Sequence, residues 1–519
     1  MTRLSGRALA LGCVATLALS AGSAAANGFE DFGKTFHEKL QSKIHQELSG
    51  VVHASVQPLE SQEFNWYYAL NSGFNHKTWN ELDKMVRPND VGAMKLVDGT
   101  SFTDTYRNRV LASITFKLSN ADQTRENKVD DDASAAATTM VNQFEQVYGD
   151  ITQKQLNKAK SETGLFKMTK ADYITDYVVS YFWTCAKRNG GAPKTLNQLN
   201  IGDLSTSLPC AGSSSSQVLG PISKYLSIKS QVSDITAQQQ LGGFKLNNLR
   251  NNVEHPHADS SNQNFNGGQA LDNGSVQPEY VVGKSISAVN SSLQGGNTVS
   301  MKMSMTKVDQ GTVKASFQSG ASASVPIDIF RLGVKGGQKA NLFAFKGVKE
   351  SATIKMTWNG VTVFDTNAKT YTKPGNRPHG VGWYSSTVIR KAYENEGEDV
   401  TGYHFNGQPP FSFGKGSDFA RVSKLIISQF PKIDMTFQVE DITKFKQSYK
   451  QQSTWNISFL GIPLGSASES FYEGSYHYDK QAGSVTVSFR PKGTTFQGSQ
   501  LNQAANTLAA VVQYPGSDN

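Results

Sequence analysis

The sequence predicts an α+β protein, with an N-terminal, mainly helical domain followed by a mainly antiparallel β domain that is a sandwich or an elongated sheet. In the first half of the chain, apolar residues recur every three or four positions, which is typical of helices with one buried face. In the second half, apolar and polar residues alternate, which is typical of antiparallel strands. A polar stretch at 254–277 separates the two patterns. We therefore expect a helical domain at 27–253, a linker at 254–277 and a β domain at 278–519.

The helical domain is predicted from stripes of apolar residues. The first stripe consists of Phe29, Phe32, Phe36, Leu40, Ile44 and Leu48. It predicts one helix that ends near Gly50 and packs on the domain. An amphipathic helix for a membrane or a partner is the alternative, although acidic residues offset the lysines that flank the stripe. Further along, Thr169-Lys170-Ala171-Asp172 has the form of a capping box, which predicts the start of another helix.

The β domain is predicted from runs in which every second residue is apolar. Such runs cover 351–364, 431–439, 453–460 and 484–489. Because successive side chains of a strand point to opposite faces, each run predicts a strand with one face on a core.

The most regular alternation lies at 298–329 and predicts a β-hairpin. The apolar face of its first arm carries Val299, Met301, Met303 and Met305. Gly311 closes a turn, and a second arm continues the pattern through Val313 and Phe317. Pro326 cannot donate a ladder hydrogen bond, so it predicts an edge position or a bulge near the end of the second arm.

Two interpretations of this hairpin stay open. An ordinary antiparallel strand, with one face on a core and the other in solvent, produces the same alternation. A membrane strand needs about 9 to 11 residues with one face toward lipid and the other toward water. Both arms are long enough, the second as one strand over 312–325. In this second interpretation, the lipid-facing side chains would be those of Met301, Met303, Met305, Val313 and Phe317.

Residues 1–26 have the form of a signal for export. Arg3 and Arg7 precede an apolar run at 8–19, and the small residues at 24–26 fit the cleavage pattern of such signals. We therefore expect a secreted or periplasmic protein. No later segment of the sequence approaches the 18 to 20 or so unbroken apolar residues of a membrane helix.

The charge of the chain argues against nucleic acid as a partner. The formal net charge is +8, and the basic residues are scattered among acidic ones. Nucleic-acid binding is instead favoured by blocks or patches of Lys and Arg.

Two cysteines are expected to form a structural disulfide. Cys13 would be removed with the export signal, which leaves Cys185 and Cys210 in an oxidising compartment. A redox pair or a metal site is not favoured, because neither a CxxC spacing nor nearby histidines are present.

One short stretch has the residue types of a metal site. The sequence VEHPHAD contains His255, His257 and Asp259. In an extended loop the two histidines point the same way, so with the aspartate they could bind a divalent cation. The alternative is a solvated linker, and no other cofactor is expected.

A region rich in aromatic residues supplies candidate ligand-binding residues. They are Arg377, Trp383, Tyr384, Tyr403, Phe411 and Phe413. Flat rings can cover the apolar face of a sugar while their polar tips stay in water, and the arginine could contact an anion. The alternative is that these rings fill a core between loops.

No catalytic motif is present. The sequence lacks a nucleophile elbow, a metalloprotease helix, a phosphate loop and the protein-kinase motifs.

Together, the sequence patterns favour a non-catalytic exported protein that binds a surface or a membrane, in the manner of a β-pore-forming toxin if the hairpin inserts. The expected partners are membrane lipid or a cell-surface glycan, together with further copies of the chain in a homo-oligomer. Two other hypotheses stay open: an extracellular hydrolase acting on polysaccharide, and an adhesion or assembly component of the cell envelope.

Overall fold

The structure is a computed structural model. It describes residues 12–49, 52, 55–60, 63–65, 76–178, 216–317, 320, 322–334, 339–373, 379–449, 454–464, 472–491 and 504–516. The chain forms two compact units. The first comprises Met1–Ser113, Asn248–Tyr393 and Gly407–Asn519, and the second comprises Ile114–Asn247 and Glu394–Asn406.

Helices dominate the N-terminal half of the described chain. The α-helices in the described ranges are α1 (Gly12–Leu48), α2 (His76–Leu82), α3 (Phe102–Thr105), α4 (Asn120–Tyr148), α5 (Gln153–Thr163), α6 (Lys170–Asp172), α7 (Ser216–Glu254), α8 (Ile286–Gly295), α9 (Ser386–Glu394) and α10 (Ile442–Tyr449). Turns of π-helix follow α3 and α6, at Tyr106–Val110 and Tyr173–Val178, and short 3-10 turns lie at Leu111–Ser113 and Ile327–Ile329.

Strands dominate the C-terminal half. The strands in the described ranges are β1 (Gln57–Pro58), β2 (Glu63–Asn65), β3 (Val86–Pro88), β4 (Met94–Leu96), β5 (Ile114–Lys117), β6 (Gly268–Ala270), β7 (Val276–Pro278), β8 (Tyr280–Val281), β9 (Asn297–Lys307), β10 (Thr312–Phe317), β11 (Ser322–Pro326), β12 (Phe330–Val334), β13 (Lys339–Asn341), β14 (Val348–Asp365), β15 (Asn367–Ala368), β16 (Gly402–Phe405), β17 (Arg421–Ser428), β18 (Lys432–Val439), β19 (Thr454–Phe459), β20 (Ile462–Pro463), β21 (Tyr472–Asp479), β22 (Ser484–Pro491) and β23 (Ala504–Gln513). A helical first half followed by a β second half is the arrangement that the two periodicities predict.

One large antiparallel sheet organises the first unit. Its strands lie in the order β1-β23-β17-β14-β18-β22-β21-β19-β12-β13, and β2, β9, β10, β11 and β20 attach along this path. The 18-residue strand β14 connects the two halves of the sheet, because its C-terminal end pairs with β17 while the rest of it pairs with β18 and β9. Burial alternates along much of β14, as the period-two pattern predicts.

Segments that are far apart in the sequence meet in this sheet. The short strands β1 and β2 both pair with the C-terminal strand β23, which also pairs with β17. Residues before 113 therefore belong to the same compact unit as most of the β half. The units are divided along the chain differently from the predicted domains, whose boundaries follow composition alone.

The main core of the first unit lies between α1 and the sheet. The stripe residues Phe32, Phe36, Leu40, Ile44 and Leu48 are at most 3% exposed. They form one hydrophobic cluster with apolar side chains of the sheet. Burial of apolar surface is the dominant favourable term in folding, so this cluster is what holds α1 in place.

The second unit has a helical core of its own. It is built from side chains of α4, α5, α6 and the first part of α7, among them Met140, Phe144 and Ile222. The predicted capping box forms at the start of α6. Thr169 Oγ1 accepts a hydrogen bond from the Asp172 N–H at 3.1 Å, and Asp172 Oδ2 accepts one from the Thr169 N–H at 3.1 Å.

The stretch at 254–277, which was predicted to be a linker, has ordered contacts within the first unit. Strands β6 and β7 form a hairpin there. The buried Asn266 accepts a hydrogen bond from the His257 N–H at 2.7 Å and donates one to the His255 carbonyl oxygen at 2.8 Å. Such side-chain to backbone bonds can order a loop that has few apolar residues.

Candidate functional site

The predicted hairpin at 298–329 forms three strands instead of two. β9 pairs with β10, and β10 pairs in turn with β11. The prediction of a continuous second arm over 312–325 is therefore wrong, because the chain reverses between Phe317 and Ser322. Gly320 occupies this reversal with a φ of +89°, a conformation that other residues rarely adopt, and its N–H donates to the Phe317 carbonyl oxygen at 3.1 Å.

The five candidate membrane-facing residues lie on one buried face of β9 and β10. Their exposed fractions range from 1% to 6%, and they are Met301, Met303, Met305, Val313 and Phe317. The opposite face carries the exposed side chains of Lys302, Ser304, Thr306 and Lys314. Both strands therefore have the two-sided character that the alternation predicts.

Helix α1 covers this apolar face. The ring of Phe32 stacks on that of Phe317 with 4.9 Å between the centroids, and the Phe36 ring lies 6.4 Å from the same ring. The helix backbone also approaches β11 closely, since a Cβ added at Gly28 would lie 2.2 Å from the Ser324 carbonyl oxygen. The side chains that could meet lipid thus belong to the cluster that also contains the apolar stripe of α1.

Polar contacts fix α1 at two further places. His37 Nδ1 lies 2.7 Å from the Val91 carbonyl oxygen and 2.9 Å from the Gly33 carbonyl oxygen, so this nitrogen carries a proton. Asn297 Nδ2 donates to the Glu47 carbonyl oxygen at 2.9 Å, which ties the end of α1 to the start of β9. Burial lowers the pKa of His37, although the two backbone hydrogen bonds and the nearby Glu60 act to raise it.

A small cavity lies between α1 and the sheet. Its volume is about 30 Å³, and its walls include Phe36, His37, Trp358 and Leu460. Within the described ranges, Trp358 Nε1 is buried without a hydrogen-bond partner. Close-packed cores leave few such voids, so the contact between α1 and the sheet is incomplete at this place.

Trp383 and Tyr384, two of the candidate ligand-binding residues, lie in a closed aromatic cluster. Trp383 is 0% exposed and Tyr384 is 1% exposed. The Tyr280 ring meets Trp383 edge to face at 5.5 Å, and the Tyr106 ring lies 5.4 Å from Tyr384. These two rings fill a core, because neither presents a face to solvent.

The buried residue Arg421 lies within this cluster and was not predicted from the sequence. Its guanidinium carbon is 5.7 to 5.9 Å from the ring centroids of Phe102, Tyr280 and Tyr384, which is within the range of cation–π interaction. The guanidinium also donates to Gln513 Oε1 at 2.8 Å and to the Thr366 carbonyl oxygen. No local signal marks this arginine, since its partners come from distant parts of the chain.

Asp83 supplies a negative charge to the same buried network. Its carboxylate accepts hydrogen bonds from Tyr280 Oη at 2.6 Å, from Ser101 Oγ at 2.6 Å, and from the Thr103 N–H and Oγ1 at 2.9 and 3.0 Å. Burial raises the pKa of Asp83 to about 6, although these hydrogen bonds act to lower it. Burial also lowers the pKa of Arg421. Because both charged groups are at most 2% exposed, we interpret the network as structural.

The other candidates from the aromatic region have different surroundings. Phe411 and Phe413 pack on Phe419 at 5.1 and 5.6 Å; Phe413 is buried, and Phe411 is half-buried. Tyr403 belongs to the second unit, where its ring lies edge-on to Phe116 at 5.3 Å. Arg377 lies outside the described residues. Of the aromatic candidates, Phe411 alone is not buried, so no broad platform of exposed rings is formed by the described ones.

The predicted metal ligands lie on the surface of the first unit. His255, His257 and Asp259 are all exposed. The Asp259 carboxylate accepts hydrogen bonds from the Ser261 N–H at 2.9 Å and from Ser261 Oγ at 2.7 Å, so it caps its own turn. In the part of the chain that the structure describes, no group of three or more His, Cys, Asp or Glu is placed to hold a metal ion.

Besides Arg377, two predictions fall wholly or partly outside the described residues. Cys185 and Cys210 are not among them, so the disulfide stays a prediction. Residues 1–11 of the predicted export signal are not described either, while 12–26 form part of α1. Among the described helices, none has both the length and the hydropathy needed to cross a bilayer.

Comparisons with protein-family models, with curated proteins and with solved structures find no match for this chain. The function must therefore be inferred from the geometry and chemistry of its own residues.

Proposed function

We propose that this protein is an exported, non-catalytic protein that acts on membranes and inserts residues 297–326, the β9–β11 segment, into a bilayer as part of an oligomeric pore. The observation that supports this most directly is the continuous apolar face of β9 and β10, on which α1 packs. The opposite face carries Lys302, Ser304, Thr306 and Lys314, which suits the water-facing side of a membrane strand.

The lengths of the strands define what insertion requires. β9 has 11 residues, which matches the 9 to 11 or so of a membrane strand. β10 has 6 residues and is too short, so β10 and β11 must extend into one strand over 312–325. This extension separates the register pairs between them, such as Val313 with Val325.

The energetics of insertion favour an oligomer. Apolar side chains that leave the protein core enter hydrocarbon, so their hydrophobic free energy changes little. The backbone of β9 is different, because it pairs with β14 from Val299 to Thr306. Each backbone group left without a partner in hydrocarbon costs several kcal/mol. Segments of neighbouring copies must therefore replace β14 as the hydrogen-bonding partner.

Two double-cysteine variants test this proposal. Ser304 lies opposite Thr353 on β14 and opposite Ser316 on β10, and opposed residues in a sheet are close enough for a disulfide. The pair Ser304→Cys and Thr353→Cys fastens β9 to the sheet. We expect this protein to release no dye from liposomes when oxidised and to regain release when reduced.

The matched control is the pair Ser304→Cys and Ser316→Cys, which fastens β9 to β10 only. It should release dye in both redox states, because the two strands move together. Release by the oxidised 304–353 variant at the wild-type rate would reject insertion of β9. A wild-type protein that releases no dye from vesicles of phosphatidylcholine and phosphatidylglycerol would reject the pore itself.

A further inference from the structure

One loop of the second unit exposes an aromatic side chain almost completely. Phe166 is 95% exposed, and the neighbouring Leu165 is 39% exposed. Both lie in the loop 164–167 between α5 and α6. Single exposed apolar residues are common on protein surfaces, so exposure alone assigns no function to this loop.

The residues at the two ends of the loop hold Phe166 in an outward position. Gly164 ends α5 with a φ of +71°, and its N–H donates to the Lys160 carbonyl oxygen at 3.0 Å. On the other side, Met168 is buried in the core of the unit, and the capping box of α6 follows directly. With one end capped and the other anchored, the short segment between them keeps the Phe166 ring in solvent.

Lysines lie near this ring in the chain, and one of them lies over it. Exposed lysines of the loop and of the adjoining helix ends include Lys158, Lys160, Lys167 and Lys170. Lys160 Nζ lies 5.7 Å from the centroid of the Phe166 ring. Lys158 forms an ion pair with Glu162, and Lys170 forms one with Glu145. A protruding ring next to lysines favours the surface of an anionic bilayer, because the ring enters the headgroup layer while the ammonium groups contact phosphates.

We propose that loop 164–167 is the membrane-docking site of this protein, with Leu165 and Phe166 inserted among the headgroups of a bilayer that contains anionic lipid. This inference rests on the proposed membrane function and adds the step that precedes insertion of the β9–β11 segment. An acidic surface on another protein is the competing partner. The bilayer is favoured because Lys160 lies over the ring and the exposed Lys167 follows it directly in the chain, so positive charge accompanies the inserted ring.

Docking is measured on the oxidised variant with Ser304→Cys and Thr353→Cys, in which insertion of β9 is blocked. Cosedimentation with vesicles of phosphatidylcholine and phosphatidylglycerol should exceed that with phosphatidylcholine alone. Adding Phe166→Ala should lower the partition coefficient about 10-fold, as expected for removal of one buried phenyl ring. Phe166→Trp should retain binding. Phe244→Ala removes a ring that is 43% exposed on α7 of the same unit and should leave binding unchanged.

Each outcome separates this inference from the proposed pore. Equal binding with and without Phe166→Ala would overturn the docking site and leave the pore proposal intact. Failure of the oxidised variant to bind either vesicle, or equal binding to both, would also overturn it. Binding that depends on Phe166, together with no dye release by the reduced protein, would support the docking site and reject the pore.

Discussion

His37 should make the free energy of unfolding depend on pH. Its Nδ1 proton lies between two carbonyl oxygens, and burial lowers its pKa below the ordinary value of 6.5. Well above pH 6.5 the imidazole is neutral in both the folded and the unfolded chain. Below it, the unfolded chain binds a proton that the folded chain does not, so the free energy of unfolding falls as the pH falls. Glu60 is the carboxylate that opposes this effect.

Replacing His37 by glutamine should reduce this pH dependence. The amide can still donate to the Val91 carbonyl oxygen, but it does not titrate. We expect the free energy of unfolding, measured by urea denaturation, to fall more between pH 7 and pH 5 in the wild type than in His37→Gln. The difference between the two proteins isolates His37 from Asp83, whose raised pKa acts in the opposite direction. An equal fall in both would contradict the assignment.

The burial of single residues could be predicted only where a period supported it. The stripe residues of α1 from Phe32 to Leu48 and the odd-numbered residues of β9 from Val299 to Met305 are buried as their spacing predicts. Trp383 and Tyr384 have no such period, and their sequence context suits both a ligand platform and a core. Which rings face each other depends on distant segments, such as those that contribute Tyr106 and Tyr280.

Among the structural elements, the segment at 298–329 shows what alternation can and cannot predict. It predicts the strands and their faces, but it cannot predict the reversal between β10 and β11. Across this reversal Ala315 pairs with Ala323, so odd-numbered residues pair with odd-numbered residues. The apolar face is therefore the same whether the chain continues or turns back. Gly320 is the residue that marks the turn.

Gly28 controls how closely α1 approaches β11. In Gly28→Ala the new Cβ would clash with the Ser324 carbonyl oxygen, a backbone atom that cannot rotate away. We expect the free energy of unfolding to fall by about 1 to 3 kcal/mol, as for other overpacked contacts. We also expect dye release at lower protein concentration, because α1 is displaced more easily.

A second glycine on a helix provides the control for this variant. Gly243 lies in α7, and a Cβ there would meet nothing within 4 Å. Alanine is a better helix former than glycine by about 1 kcal/mol, so Gly243→Ala should stabilise the protein. If urea denaturation shows that Gly28→Ala stabilises the protein to the same extent, the close approach of α1 to β11 is contradicted.

For the whole molecule, the class of the fold could be predicted but its assembly could not. Strand β23 pairs with β1 and β2 from the other end of the chain. No local sequence pattern predicts which strands pair. The network of Asp83 and Arg421 depends on the same distant contacts. Composition placed a boundary at 254–277, whereas polar side chains such as Asn266 order that stretch within the first unit.

Insertion of β9 into lipid is tested most directly by measuring fluorescence quenching of a label at single positions along the strand. Cysteines introduced one at a time at 300 to 305 are labelled with an environment-sensitive fluorophore, and each protein is bound to liposomes that contain nitroxide-labelled lipid. If β9 enters the bilayer, strong quenching at 301, 303 and 305 should alternate with weak quenching at 300, 302 and 304, because successive side chains of a strand face opposite sides. Membrane-bound protein with no quenching at any of these positions would contradict insertion.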